Sequence, residues 1–169
     1  MYRSYHTANL VGAFSALAIT ACSTTAATLG PDTAARAPAY STSEVEIDGE
    51  GGLGGFATHW FVSGSERSYL YTMHRICSVP NWQPAVDSAS GAIAADAADS
   101  LSAQIDRSAP FSLSDDYGIT VGGADMITYT VRITVGSRTK TIRADDGTMP
   151  VPVRRILDAV RTTITSARR

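Results

Sequence analysis

The stretch Ile127–Asp145, "ITYTVRITVGSRTKTIRAD", decides the fold. Ile127, Tyr129, Val131, Ile133 and Val135 alternate with Thr128, Thr130, Arg132 and Thr134, the period-two pattern of a strand with one buried face. Gly136-Ser137 then fits a two-residue hairpin turn of the kind that begins with glycine. Arg138 to Arg143 returns as the partner strand. This register sets Val131 opposite Ile142 and puts Lys140 on the same face, at an edge where its amine reaches water. A hairpin of this kind makes an antiparallel sheet the organising element of the domain.

On the C-terminal side, "ADDGTMPVPV" reads as a turn, and an amphipathic helix follows. Val153, Ile156, Leu157, Val160 and Ile164 recur at helical spacing, with Pro152 in the first turn. Arg161, Arg168 and Arg169 lie toward its C-terminal end, where positive charge complements the helix dipole. Asp145-Asp146 fits an Asx-type turn better than a cation site.

On the N-terminal side, "PFSLSDDYGITVGGAD" is a loop. Before it, Gly91 to Ala109 carries a helical stripe of Ile93, Ala97, Leu101 and Ile105, capped by Ser88 or Ser90 and ended by Pro110. Residues Cys77 to Ser90 hold two prolines and read as a loop. "YLYTMHRI" is an extended piece without clear alternation. Further back, Phe56, Thr58, Trp60 and Val62 share one parity. Val45 and Ile47 alternate with Glu44, Glu46 and Asp48. These are two more strands. The predicted fold class is therefore α+β: an antiparallel four-stranded sheet with two helices packed on one face, in the order ββαββα.

The remaining N-terminal residues describe delivery rather than fold. Arg3, then an apolar run from Leu10 to Ala21, has the form of a secretory signal and is too short to span a membrane comfortably. Ile19-Thr20-Ala21-Cys22 resembles a bacterial lipobox, which implies cleavage before Cys22 and lipidation of its thiol (palmitate included); the alternative is an ordinary secretory peptide with an incidental cysteine. The division expected is a signal peptide over 1–21, a flexible Ala/Ser/Thr/Pro tether over 22–43 and a folded domain over 44–169. A lipid at Cys22 would hold the protein in the bacterial cell envelope, on the extracytoplasmic side of a membrane. With Cys22 lipidated, Cys77 has no disulfide partner, and its apolar neighbours suit a buried small hydrophobe.

Composition and motifs narrow the function. The chain has 169 residues, 14 basic and 16 acidic, and a formal charge of −2, which argues against nucleic acid as a partner. It has no HExxH, no paired CxxC, no dense linear Asp/Glu/His cluster and no GxSxG. Neither an enzyme, a cofactor nor a bound metal is expected. The segment from Val45 to Trp60, "VEIDGEGGLGGFATHW", holds five of the fourteen glycines. A phosphate-binding loop would need a helix after it and a lysine beside it; a strand follows, and no lysine is near. His59 has the parity opposite Phe56 and Trp60, so an exposed position is expected.

Several short elements, in order, resemble the emfourin family of proteinaceous inhibitors of protealysin and related thermolysin-like metalloproteases. They are Gly54-Gly55-Phe56-Ala57 after the first strand, Ala109-Pro110-Phe111 at the helix exit, and Asp125 with Tyr129 and Val131. Asp145-Asp146-Gly147-Thr148-Met149-Pro150 follows, and then Ile156-Leu157 in the last helix. The resemblance runs from Val45 to Ile164, although the stretch from Ser63 to Ser90 is longer than the family usually carries. It implies a membrane-anchored inhibitor that blocks the active-site cleft of a thermolysin-like protease. The candidate contacts are Asp48, Glu50, Leu53, Gly54, Gly55 and Phe56: a carboxylate for the catalytic zinc, Leu53 or Phe56 for an apolar pocket, and glycines for close backbone approach. The same glycines serve equally as a bulged connection between two strands, with Phe56 and Trp60 in the core. The rival function is a cell-envelope lipoprotein module for binding or assembly, with no protease partner.

Overall fold

The structure, a computed structural model, describes residues 43–52, 55–75, 85–123 and 125–169. Six strands form one antiparallel sheet: β1 (Ser43–Gly51), β2 (Phe56–Ser63), β3 (Ser68–Arg75), β4 (Val86–Ala92), β5 (Ile127–Val135) and β6 (Arg138–Asp145). Their spatial order is β4-β3-β2-β1-β5-β6. Two helices, α1 (Ala95–Ser108) and α2 (Val151–Ala167), complete the domain. The expected four-stranded sheet and the order ββαββα are both corrected: the chain runs ββββαββα.

The two added strands explain the miscount. β3 pairs with β2 from Phe56↔Arg75 to Ser63↔Ser68, so the "YLYTMHR" segment is a full sheet member. β4, "VDSASGA", has small and polar side chains on both faces and shows no apolar alternation. Its membership comes from backbone pairing with β3, from Ser68↔Ala92 to His74↔Val86. Gly91 belongs to this strand, paired with Tyr69, and a Cβ there would lie 3.1 Å from the Tyr69 ring. The helix therefore starts at Ala95 rather than Gly91. Ser88 and Ser90 lie in β4, and Ala94 holds the N-cap position without a side-chain bond.

The helix end follows the sequence closely. Ala109 takes the left-handed conformation at φ 44°, and Pro110 opens a single 3-10 turn. The β5–β6 hairpin has the expected register, with Val131 opposite Ile142. Gly136 alone of the two turn residues has positive φ, 59°, as a turn beginning with glycine requires. Lys140 does not rest in water. Residues 113–118 run along β6, with Tyr117 N–H donating to Arg143 O and Arg143 N–H to Asp115 O. Beneath them the Lys140 amine donates to Leu113 O (2.6 Å) and to the Asp115 carboxylate.

The core lies entirely on one side of the sheet. Val45, Ile47, Val62, Val131, Ile133 and Ile142 share that face and are fully buried against Ile105 of α1 and Val153, Ile156 and Val160 of α2. Among the described residues no helix is long and apolar enough to cross a membrane. Cys22, Cys77, the signal segment and residues 22–42 of the expected tether lie outside the described residues, while Ser43, expected to end the tether, opens β1 and is buried.

Candidate functional site

The helices leave the second face of the sheet uncovered. β1 contributes Glu44, Glu46, Asp48 and Glu50 to it, because these alternate with the buried Val45 and Ile47. β1 is central, paired with β2 on one side and β5 on the other, so each acidic residue has a neighbour on both flanks. One row runs Arg143–Thr130–Asp48–His59–Thr72–Ser88 across all six strands. Within it His59 Nδ1 lies 2.7 Å from Asp48 Oδ1. In the next row Arg132 Nη1 donates to Glu46 Oε2 at 2.6 Å. His59 is thus on the open face, as its parity predicted, but in contact with a carboxylate rather than with water alone.

Glu50 stands at the end of this acidic stripe. Its cross-strand partners are Ala57 and Thr128, which carry no charge. It is exposed and forms no ion pair among the described residues. A depression of about 250 Å³ lies beside it, lined by Asp48, Glu50, Thr128, Thr130 and Arg143.

Past Glu50 the chain must turn back toward β2, and glycine makes that possible. Gly51, Gly52 and Gly55 have φ of 125°, 76° and 56°, all in the region that side chains disfavour. A Cβ on Gly51 would stand 2.5 Å from Met126 O. Gly52 N–H donates to that same carbonyl at 3.2 Å, and Gly55 N–H to Gly52 O at 3.0 Å. The glycines therefore close the hairpin against the strand end of β5. Leu53 and Gly54, two of the candidate contacts, lie outside the described residues.

Phe56 does not join the carboxylates. It has the parity of Thr58, Trp60 and Val62 and points to the helix-covered side, where the Arg75 guanidinium lies 5.2 Å from its ring centroid. Trp60 is buried there, with Arg161 at 5.0 Å from its ring. Arg161 also donates to the Tyr129 hydroxyl at 3.2 Å. Burial raises the Tyr129 pKa, and Arg161 pulls against that rise. Asp48 and Glu50 thus stand on one side of the hairpin tip, Phe56 on the other, and Gly55 at the turn between them.

The Asp145-Asp146 turn is structural. Asp145 is buried, and its carboxylate accepts from the backbone N–H groups of Thr120, Gly147 and Thr148 and from the hydroxyls of Thr120 and Thr148. The Thr120 N–H is the largest influence on its pKa. Together with the other donors it outweighs burial and holds the carboxyl well below the usual aspartate range.

Linear spacing gives no Asp/Glu/His cluster, but the register assembles one. Glu46, Asp48 and His59 each offer a ligand atom, all within 4.8 Å of one another. The signal that could have found it is pairing: two acidic residues on one parity of β1, opposite a histidine of matching parity on β2. Comparison with known protein families and with curated proteins finds no match.

Proposed function

We propose that this chain is a membrane-anchored inhibitor of thermolysin-like zinc metalloproteases, and that it presents the β1–β2 hairpin tip to the active-site cleft. The observation that carries the reading is Glu50: an exposed carboxylate, without an ion-pair partner among the described residues, beside a turn built of glycine. A catalytic zinc keeps one coordination position open, and a carboxylate oxygen fills such a position at about 2.0–2.2 Å. Asp48, already engaged by His59, is the less available of the two candidates and serves to hold the tip. The glycines let the partner's backbone come close, while Phe56 on the far side offers an apolar contact to an enzyme that straddles the tip. Lipidation at Cys22 would keep the inhibitor at the cell surface, where secreted proteases act.

The test is inhibition of a panel of thermolysin-like proteases by the chain, with serine proteases as controls. Glu50→Ala is expected to raise the inhibition constant by about tenfold or more, or about 1.4 kcal/mol, as for a central contact residue. Its unfolding midpoint should stay unchanged. No inhibition at micromolar concentration across the panel defeats the reading in favour of an envelope binding or assembly module. Unchanged inhibition by the Glu50 variant defeats the placement at this tip.

A further inference from the structure

We propose that Glu46, Asp48 and His59 bind a divalent transition-metal ion of the zinc class on the open face of the sheet. The three side chains come from two paired central strands, so their backbone positions are fixed by the ladder and not by a loop. Asp48 and His59 are direct cross-strand partners, and Glu46 is two residues along the same face of β1. One ligand atom from each lies within 4.8 Å of the other two. Bonds of about 2.0–2.2 Å set tetrahedral edges of about 3.3–3.6 Å, so the Asp48–His59 pair opens from 2.7 Å while the longer separations, all within 4.8 Å, close.

The donor set selects the ion. An imidazole nitrogen with two carboxylates suits zinc and its neighbours, whereas calcium and magnesium prefer all-oxygen shells. The imidazole separates this group from an ordinary solvated acidic stripe. Asp48 Oδ1 and His59 Nδ1, at 2.7 Å, face each other across a single hydrogen. An ion bound between them takes that hydrogen's place, and the neutral imidazole then ligates through Nδ1 with its one proton on Nε2. Arg132 holds only Oε2 of Glu46, so Oε1 remains for the ion. The same guanidinium opposes a second positive charge, which keeps the affinity below that of a closed four-ligand structural site.

The site is independent of the protease reading, since it is measured with no protease present. The full chain is titrated with Zn²⁺ by calorimetry and with Co²⁺ by visible absorption, which reports tetrahedral coordination. One equivalent should bind with a dissociation constant in the micromolar range, corresponding to about −8 kcal/mol. His59→Ala and Asp48→Asn should each weaken binding by about tenfold or more. His74→Ala, on the same face but outside the cluster, should leave it unchanged. The His59 variant retains the Cys77 thiol, so any binding through that cysteine survives in it. Unchanged affinity in His59→Ala, or the absence of saturable binding in the parent chain, overturns the proposal.

Discussion

The two faces of the sheet obey opposite rules, although the same strands build both. On β1, Val45 and Ile47 are fully buried, while Glu44, Glu46, Asp48 and Glu50 between them reach the other side. Both helices pack on the first face, where β2, β5 and β6 add Trp60, Val62, Val131, Ile133 and Ile142 to the buried set, while Phe61 of β2 lies half-buried on the second face beside Glu46. Among the described residues no helix packs on the second face, which carries the acidic residues of β1 with His59, His74 and Thr130. A one-residue slip of β1 would exchange the two sets, burying four carboxylates and exposing Ile47. Stability therefore resides in one parity, and the groups available for binding reside in the other.

Truncating the packed face should produce the largest effect. Ile47 is fully buried on the central strand, flanked by Trp60 and Val131. Ile47→Ala is expected to cost about 2–5 kcal/mol, because lost burial is joined by a cavity that a paired strand cannot collapse to fill. Urea unfolding followed by circular dichroism measures this. A cost below about 1 kcal/mol would mean that the two faces do not differ as the packing indicates.

Asp145 sharpens the comparison, since it has the parity of the open face yet is buried where residues 113–123 fold back over β6. Here a charge is structural. Its folded-state carboxyl is held below the unfolded value, so its stabilisation is complete above an ordinary aspartate pKa of about 3.9. That stabilisation drains away as the pH falls toward the folded value. Asp145→Asn should therefore lower the urea midpoint at pH 7, and the gap from the parent should narrow steadily below about pH 4. A gap that is constant from pH 7 to pH 2 would show that the carboxylate charge contributes nothing.

How much of this was visible in the sequence depends on which face carries the signal. β1, β2, β5 and α2 were legible because apolar residues at regular spacing mark a face that must be buried, and β6 because the Gly136-Ser137 turn returns the chain along β5. β4 was not. Val86 is its only large apolar side chain and is exposed, so the strand is held by backbone pairing with β3, the Asp87–Arg168 ion pair and the packing of the small Ala89, none of which gives an apolar alternation. Ile93 misled in the other direction: it matches the helical stripe of Leu101 and Ile105, yet it precedes α1 and is fixed by an N–H bond to Arg67 O. The candidate site was legible only residue by residue. Asp48 and His59 are 11 positions apart and Glu46 and Arg132 are 86 apart, so their contacts depend on register, which composition and spacing do not carry.

The smallest effect should come from the open face of the same strand. Glu46 pairs with Arg132 at 2.6 Å, but the two side chains are 31% and 54% exposed. In that setting water screens most of the attraction, and holding two long side chains in one geometry costs entropy. Glu46 also has Glu44 and Asp48 as like-charged neighbours on its own face, so removing it relieves repulsion as well as breaking a pair. These contributions nearly cancel, and Glu46→Ala should change stability by no more than about 0.5 kcal/mol at moderate salt. A cycle with Arg132→Ala should give a coupling of similar size that shrinks as salt is raised. A cost above about 1.5 kcal/mol would make the pair structural and erase the contrast with Ile47, its neighbour in sequence. A near-zero cost leaves the carboxylate free to be used by whatever binds this face, because nothing in the fold depends on where it points.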